Sequence, residues 1–354
     1  MARIVIVSFR LGGNDGVSIE SAKWTRALTS LGHEVTTVAG EGPVDVTLRG
    51  LAIGSPVAPT FDDLEAALGG ADLVIVENLA SLPLNVGARD VLYEVLEGRR
   101  ALFHHHDLAW QREHLAGLEG PRDRDGWYHV SINEISRREL AQRGIEATTI
   151  MNSFDCDPPL GDRRAARSAL AVTSEVVALM ATRAIARKNV AGALELCREL
   201  AATLWLLGPA EDGYGHELDQ LIASQGVNVL RGLPAGLDIA DAYAASDLVV
   251  MASTWEGFGN PVLESVTHRR PLALFAYPVA REIMAYGFEF FELDQVDAIS
   301  HFIERPDGGV FERNLTIARE HFNVNQLSGR LAVLLETIGV SSEALSSPES
   351  RSPG

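Results

Sequence analysis

Short apolar runs rich in β-branched residues alternate with helical patterns along almost the whole chain. In the first half these runs predict strands at residues 4–9, 34–39, 73–77, 101–104, 129–132 and 147–151. The stretches between them predict helices near residues 18–31, 61–68, 88–96 and 134–143, each followed within a few positions by a glycine. This alternation is typical of a parallel sheet covered by helices on both faces, so the first half predicts one doubly wound α/β domain.

A polar stretch at residues 152–162, which holds Pro158, Pro159 and Gly161, interrupts the pattern and predicts a linker. After it, strands are predicted at residues 176–182, 203–207, 227–230, 248–252 and 272–275, and helices near residues 190–201, 216–225, 239–245, 261–267 and 280–285. We therefore predict two Rossmann-like domains, at residues 1–155 and 163–323, that face each other across a cleft. A final helix within residues 324–340 could pack back on the first domain, and the Ser- and Pro-rich residues 341–354 predict a disordered tail.

Length and composition fit this organisation and exclude several classes of protein. A chain of 354 residues exceeds what one hydrophobic core usually serves. The formal charge of −18 disfavours a nucleic-acid partner, because such binding depends on Lys and Arg neutralising phosphates. The two cysteines, Cys156 and Cys197, form no zinc or disulfide pattern, and no apolar run is long enough to span a membrane. We expect a cytoplasmic protein without stable membrane insertion.

The strongest candidate for a ligand-binding loop is WEGFGNPVLE at residues 255–264, because open α/β sheets bind ligands beyond the carboxyl ends of their strands. Gly257 and Gly259 allow bare backbone to approach a ligand, and Pro261 suits the first position of a helix whose N-terminus would face a diphosphate. Glu256 and Glu264 are acceptors suited to sugar and ribose hydroxyls. Alternatively, Glu264 merely complements the helix N-terminus and Glu256 is a solvated loop charge.

A basic loop, TRAIARKN, follows the first predicted strand of the second domain. Arg183 and Lys188 could both turn into the cleft and neutralise a leaving diphosphate, with Arg187 a less certain neighbour. The alternative is a basic surface turn in which Asn189 caps the next helix.

Three further segments carry weaker signals. The Gly-rich loop at residues 10–21 matches neither the dinucleotide-binding nor the P-loop pattern, and an ordinary strand–helix turn explains it equally well. The run from His104 to His106 could suggest a metal, but consecutive residues of an extended segment point to opposite sides, so three adjacent histidines cannot readily share one ion. Asp123 and Asp125 have the DxD spacing of some metal-using transferases, yet their Pro- and Arg-bearing loop predicts solvated surface. We expect neither a metal nor another cofactor.

These motifs together resemble the retaining family 4 glycosyltransferases of GT-B fold, over nearly the whole chain except the tail. Two glutamates separated by seven residues, with Gly-Phe-Gly after the first, match Glu256 to Glu264, and an Arg-x4-Lys pair matches Arg183 and Lys188. Four more matches follow the family's order. They are Gly16-Val17 with Gly32-His33-Glu34-Val35, His106-Asp107, Val130-Ser131, and the Asn-x-x-Asp from Asn152 to Asp155.

Two positions depart from the family pattern. Asp15 aligns with the first glycine of the family's Gly-Gly turn, so either Gly13 or Gly16 could face the donor phosphate. Ser153 and Phe154 replace the Gly-Val pair of the segment that crosses between the domains. Neither change removes a charged donor ligand.

The resemblance implies metal-independent transfer of a hexose from a nucleoside diphosphate to a hydroxyl, with retention of anomeric configuration. It implies that Glu256 bonds donor-sugar hydroxyls, Glu264 the ribose, and Arg183 and Lys188 the diphosphate, while His106 lies near the sugar and the acceptor. The other donor-binding residues that we expect are Gly257, Phe258, Gly259 and Asn260. The acceptor-binding residues that we expect are Asp107, Trp110 and Asn152, although Trp110 could instead simply pack a loop. The implied mechanism is front-face displacement, in which the leaving phosphate helps to deprotonate the acceptor.

The substrates are small molecules, a sugar nucleotide and a hydroxyl acceptor. The amino-acid sequences of the two donor loops most resemble those of family members that use GDP-mannose. UDP-glucose and ADP-glucose are the next candidates as donors. A small polar acceptor is expected, because no basic amphipathic face that could dock on a membrane lies near the N-terminus. A sugar-nucleotide epimerase of the same architecture and a non-catalytic sugar-nucleotide-binding protein are the alternatives. The oligomeric state is not encoded in these motifs.

Overall fold

The computed structural model describes residues 1–172 and 176–340, and the chain divides into two compact units. Unit 1 comprises Met1–Ser153 together with the chain from Asn325 onward, and unit 2 comprises Phe154–Val324. The predicted tail at residues 341–354 lies outside the described residues.

Unit 1 is built on a parallel sheet whose described strands follow the order β3-β2-β1-β4-β5-β6-β7. The strands are β1 (Arg3–Arg10), β2 (Glu34–Glu41), β3 (Val46–Thr47), β4 (Leu73–Glu77), β5 (Ala101–His105), β6 (Trp127–Ser131) and β7 (Ala147–Thr149). The helices between them are α1 (Gly16–Ser30), α2 (Phe61–Leu68), α3 (Val86–Leu96) and α4 (Glu134–Ala141). Because β1 pairs with both β2 and β4, the strand order reverses there, and the loops after β1 and β4 adjoin at this switch point.

Unit 2 repeats the arrangement with the strand order β10-β9-β8-β11-β12-β13. Its strands are β8 (Val177–Met180), β9 (Thr203–Leu206), β10 (Val229–Arg231), β11 (Leu248–Met251), β12 (Leu272–Leu274) and β13 (Phe291–Glu292). Its helices are α5 (Arg163–Ala169), α6 (Val190–Glu199), α7 (Gly215–Gln225), α8 (Ile239–Ala245), α9 (Asn260–Thr267), α10 (Pro278–Met284), α11 (Val296–Glu304) and α12 (Gly308–His321). The switch point here lies at β8, which pairs with both β9 and β11.

Both faces of the unit 1 sheet are covered, as its uninterrupted apolar strands require. Successive residues of β1 enter different cores: Ile4 and Ile6 join one buried cluster, and Val5 and Val7 join another. In unit 2, β11 is buried along its whole length. The predicted α/β fold with two Rossmann-like units is therefore confirmed.

The last described helix, α13 (Leu327–Thr337), belongs to unit 1 although it follows unit 2 in sequence. Leu327, Leu331 and Leu334 lie in the same buried cluster as Trp24 and Leu28 of α1. A 3₁₀ turn at Val324–Gln326 precedes α13, so the predicted helix does not run continuously from residue 324.

The sequence patterns do not predict four elements of unit 2, namely α5, β13, α11 and α12. Helix α5 has few apolar residues and is anchored by charge, because Arg163 and Arg167 both pair with Asp247. Helix α12 begins with two glycines, which disfavour helix, and depends on the N-cap Asp307, whose Oδ1 accepts from the Gly309 N–H at 2.7 Å.

Candidate active site

Two loops that are distant in sequence adjoin at the switch point of unit 2. The loop after β8 ends in a 3₁₀ turn at Ala186–Lys188, and the loop after β11 leads into α9. Asn189 adopts a left-handed conformation and caps α6 through its side chain, as the alternative of a basic turn predicts, so the turn ends immediately after Lys188. Since β8 and β11 are neighbours in the sheet, their carboxyl-terminal loops bring basic and acidic side chains together.

Glu256 lies between two cations at this point. Its Oε1 accepts a hydrogen bond from Lys188 Nζ, and its Oε2 accepts one from Arg187 Nη1 at 2.6 Å. The Glu256 and Lys188 side chains are 8% and 9% exposed. Burial alone would raise the pKa of Glu256, but the charges of Lys188 and Arg187 outweigh it and hold the pKa below its ordinary value. Burial lowers the pKa of Lys188, and the Glu256 charge only partly offsets this. Glu256 is thus a buried, ion-paired carboxylate, and the alternative of a solvated loop charge is wrong.

Arg183 takes a different partner from Lys188. Its Nη1 lies 2.6 Å from Glu211 Oε2, and about a third of each side chain is exposed. The structure therefore brings Arg187, the less certain neighbour, to Glu256, while Arg183 lies at the rim of the loop. Glu211 is a partner that the sequence analysis missed, because nothing in its spacing links it to Arg183.

The Gly-rich turn before α9 is fixed by packing as well as by backbone conformation. Gly259 has a φ of +89°, and an added Cβ would lie 2.1 Å from the Tyr277 hydroxyl. That hydroxyl donates to the Phe258 carbonyl at 2.8 Å. The Phe258 ring is buried and stacks on Phe154 with centroids 5.9 Å apart. Phe258 thus shapes the turn through its ring, and any contact of this residue with a ligand falls to its backbone.

Helix α9 begins at Asn260, one residue before the predicted start, with Pro261 in its first turn. No acidic residue lies in that first turn, and Glu264 follows in the next turn of the helix. Glu264 Oε2 accepts from the Tyr243 hydroxyl at 2.7 Å. Tyr243, from α8, stacks on His268 with centroids 4.3 Å apart. Tyr243 orients Glu264, and local sequence carries no signal for this contact across helices.

A second polar cluster lies in unit 1 at the ends of β4 and β5. Glu77 pairs in register with His104, and alternation along the strand places His106 on the same side as His104. Glu77 Oε2 lies 3.0 Å from His104 Nδ1 and 2.7 Å from His106 Nε2. Because an ionised carboxylate only accepts, both of these ring nitrogens carry the hydrogen. Sequence analysis missed Glu77, although a charged residue at the end of an apolar strand is a usable signal.

The pKa values of the two histidines in this cluster are shifted in opposite directions. Burial would raise the pKa of Glu77, but His104 and His106 bring it down to about 2. Burial lowers the pKa of His104, and Glu77 compensates only in part. For His106, burial is outweighed by the hydrogen bond and charge of Glu77, so its pKa is raised. The cluster is therefore an ionised carboxylate between His104, whose pKa is lowered, and His106, whose pKa is raised.

Within the described part of the chain, this cluster of side chains could hold a cation. The donor atoms of Glu77, His104 and His106 lie within 4.8 Å of one another. The three adjacent histidines do not converge on one point, because His105 points to the other face of the sheet. His104 and His106 do converge, and the Glu77 carboxylate from the neighbouring strand β4 joins them. Both imidazoles already donate hydrogen bonds to that carboxylate.

His105 belongs to a separate buried chain of hydrogen bonds. Its Nδ1 contacts Ser81 Oγ, its Nε2 lies 2.9 Å from His129 Nδ1, and His129 Nε2 lies 3.4 Å from Asp123 Oδ1. Burial lowers the pKa of His129 to about 4. The Asp123 side chain is 44% exposed, which fits the predicted surface character of the DxD segment.

The remaining predicted residues of unit 1 lie as follows. Asp107 Oδ2 pairs with Arg112 at 2.9 Å, and Asn152 is buried just beyond β7. Trp110 Nε1 donates to Glu139 at 2.8 Å, and the Arg143 guanidinium lies 3.8 Å from the Trp110 ring centroid. These contacts support the alternative that Trp110 packs a loop.

In the first loop, Asp15 caps α1 by accepting from the Ser18 N–H at 3.2 Å, which explains an aspartate in the place of the family's glycine. Gly16 is the first residue of α1, and Gly13 lies exposed two residues before the cap. Either glycine can expose bare backbone at the loop after β1.

The family model described as "Glycosyl transferases group 1" matches residues 162–305, which lie within unit 2. This match covers about two fifths of the chain, and together with the two-sheet fold it makes the chain similar to GT-B glycosyltransferases. The resemblance to GT-B glycosyltransferases seen in the sequence motifs is thereby confirmed.

Two relatives share one name. Mannosylglucosylglycerate synthase of Thermotoga maritima is 26% identical over 424 residues, covering 93% of this chain and 99% of its own. The protein of the same name from Petrotoga mobilis is 24% identical over 374 residues, covering 82% of this chain and 86% of its own. Among solved structures, Anabaena HepE in complex with UDP and glucose covers 95% of this chain and 100% of its own, with a TM-score of 0.71 and 19% identity. At that identity the likeness shows the fold alone.

Within the described residues, no helix combines the length and the apolar character needed to cross a bilayer.

Proposed function

We propose that the chain is a retaining hexosyltransferase that moves mannose from GDP-mannose to a hydroxyl of glucosylglycerate or a similarly small polar acceptor. UDP-glucose and ADP-glucose are the next candidates as donors. The observation that carries the proposal is the buried Lys188–Glu256 pair at the switch point of unit 2, beside the N-terminus of α9. A cation for phosphate, a carboxylate for hydroxyls and the N-terminus of a helix suit a ligand that carries both diphosphate and sugar.

The strand order supports an extended arrangement of the donor. We assign the diphosphate to the loop after β8, where Lys188 and Arg183 would bind it, and the transferred sugar to Glu256 after β11. On the other side of β8, a cavity of about 420 Å³ at the carboxyl ends of β9 and β10 is lined by Gly208, Pro209 and Arg231 among others, and is suited to the base. Glu264, held by Tyr243, we assign to the ribose.

The acceptor assignment draws on the name shared by the two relatives, which describes a product containing mannose, glucose and glycerate. In unit 1, Glu77 raises the pKa of His106, which favours the positively charged imidazole that would suit an acceptor carboxylate such as that of a glycerate. We keep Asp107 and Asn152 as acceptor residues and Gly13 or Gly16 as backbone contacts to the donor phosphate. Location in the cytoplasm stays a prediction.

The mechanism that we propose is front-face displacement without a metal. The Lys188 ammonium, the Arg183 guanidinium and the α9 N-terminus would stabilise the charge that develops on the leaving diphosphate. The departing phosphate oxygen would take the acceptor proton. This assignment needs no enzyme nucleophile, and Glu256 is a poor one, because both of its oxygens are engaged by cations.

The test is a matrix of GDP-mannose, UDP-glucose and ADP-glucose against glucosylglycerate, glycerate and no acceptor, with products followed by NMR. We expect an α-linked mannoside from GDP-mannose and glucosylglycerate, which would retain the donor's anomeric configuration. Conversion of the donor sugar without acceptor would indicate the epimerase, and tight donor binding without any turnover would indicate a sugar-nucleotide-binding protein. A product of inverted configuration would refute the retaining assignment.

A further inference from the structure

Arg187 links the two donor loops of unit 2 through both its side chain and its backbone. Its Nη1 donates to the Trp255 carbonyl at 2.9 Å and to Glu256 Oε2 at 2.6 Å. Its own carbonyl accepts from the Thr254 N–H at 3.0 Å and lies 3.3 Å from the Thr254 hydroxyl. One residue of the loop after β8 therefore contacts three consecutive residues of the loop after β11.

The contact to Glu256 restricts the orientation of a buried carboxylate. Lys188 holds one carboxylate oxygen and Arg187 holds the other, so the group cannot rotate about its last side-chain bond without losing a charged hydrogen bond. A carboxylate offers about four acceptor positions, so the two cations and the hydrogen bond from Ser253 still leave room for a ligand hydroxyl. The plane of the carboxylate, and hence the direction of those positions, is set from two sides.

We infer that Arg187 is a positioning residue for the transfer reaction: it holds the Glu256 carboxylate in the orientation that accepts hydroxyls of the donor sugar. The inference rests on the proposed function of this site. It separates Arg187 from Arg183, whose more exposed side chain pairs with Glu211 and can exchange that carboxylate for a diphosphate. The two arginines of one loop thus serve different parts of the same donor.

The geometry explains why an arginine is needed at this position. One terminal nitrogen of the guanidinium reaches two acceptors on consecutive residues, the Trp255 carbonyl and the Glu256 side chain. A lysine would keep the positive charge but lacks the planar guanidinium that fixes the direction of both N–H bonds on that nitrogen. Arg187→Lys should therefore restore part of the function that Arg187→Gln loses.

The experiment compares Arg187→Gln and Arg187→Lys with Arg183→Ala and a control, Arg198→Gln. Arg198 is an exposed arginine of the same unit, 3.5 Å from Glu195 and remote from the two loops in the contacts it makes. Calorimetry gives the Kd of GDP and of GDP-mannose, with the UDP and ADP pairs in parallel, and initial rates give kcat and KM. Circular dichroism at the assay temperature gives the folded fraction.

For Arg187→Gln we expect nearly unchanged affinity for GDP, loss of the added affinity that the mannosyl group confers, and a fall in kcat of roughly 100-fold from misplacement of the carboxylate. Arg187→Lys should fall between this variant and the parent, and Arg198→Gln should match the parent. Because the nucleotide and sugar affinities are compared within one variant, a partly unfolded sample lowers both equally and does not imitate the result.

Three results would overturn the inference. If Arg187→Gln lost affinity for GDP to the same extent as Arg183→Ala, Arg187 would be a phosphate ligand. Unchanged kcat and unchanged donor affinity would leave Arg187 without a role in the reaction, and a loss of kcat that merely follows the folded fraction would make that role structural. Failure of the parent chain to bind any of the three nucleotide sugars would refute the proposed function itself, a result that the parent measurements reveal before any variant is compared.

Discussion

Replacing Glu256 by Gln tests whether the charges at the donor site form one interdependent group. Lys188 and Arg187 each present a hydrogen-bond donor to a different oxygen of Glu256. A glutamine has one acceptor oxygen, so its NH₂ group must face one of the two cations. The substitution therefore leaves a buried donor unpaired, and not merely a weaker hydrogen bond.

The magnitude follows from burial, since both side chains of the Lys188–Glu256 pair are less than a tenth exposed. Breaking a buried pair by removing one partner costs about 3–5 kcal/mol. At about 2–4 °C per kcal/mol for a domain of this size, the melting midpoint of unit 2 should fall by roughly 6–20 °C. Turnover, measured well below that midpoint, should also fall, since the acceptor for the donor-sugar hydroxyls is weakened.

The assay is urea and thermal unfolding of the parent, Glu256→Gln, Lys188→Met and the double variant, with the exposed Glu195→Gln as control. In the double variant, the oxygen of the glutamine at position 256 can face Arg187. The NH₂ group of that glutamine no longer faces an ammonium, because Lys188 has been replaced by methionine. We therefore expect the double variant to lose less stability than the sum of the single variants. A midpoint of Glu256→Gln equal to that of the control, or strictly additive effects, would refute the reasoning.

Three further predictions concern nucleotide, metal and pH. Glu264→Gln should weaken nucleoside diphosphate binding by about 10- to 150-fold through loss of a charged hydrogen bond to the ribose, and calorimetry showing unchanged affinity would contradict that role. Turnover should survive exhaustive treatment with EDTA, because the loop cations and the helix N-terminus already balance the leaving group, whereas activity restored only by manganese or magnesium would contradict it. Because the folded pKa of His129 is about 4, below its ordinary 6.5, the unfolded chain binds the extra proton as pH falls between these values, and the free energy of unfolding should drop by about 3 kcal/mol. Urea unfolding across that range should show the drop, and His129→Phe should flatten it.

Much of the fold could be predicted from the sequence, because the relevant signals are local. Apolar strands such as β4 and β11 are buried along their whole length, and their apolar runs alone indicate this. The helix caps Asn189 and Asp15 act on N–H groups three residues away, a distance that sequence spacing describes directly. Elements anchored by charge, such as α5, give no apolar periodicity and could not be predicted in this way.

The candidate site could be predicted as a set of residue types on particular loops, but not as a set of contacts. Sequence determined that Lys188 and Glu256 follow strands of one parallel sheet, and therefore lie at the same edge. The pairing of β8 with β11 decided that they meet, and that Arg187 and not Arg183 joins them. The same holds for Glu77 with His106, since adjacent strands bring together side chains 29 residues apart. The spacing of residues along a chain describes neighbours within one helix or strand, whereas the partner of a buried charge is chosen by strand order and side-chain packing, which only the folded chain fixes.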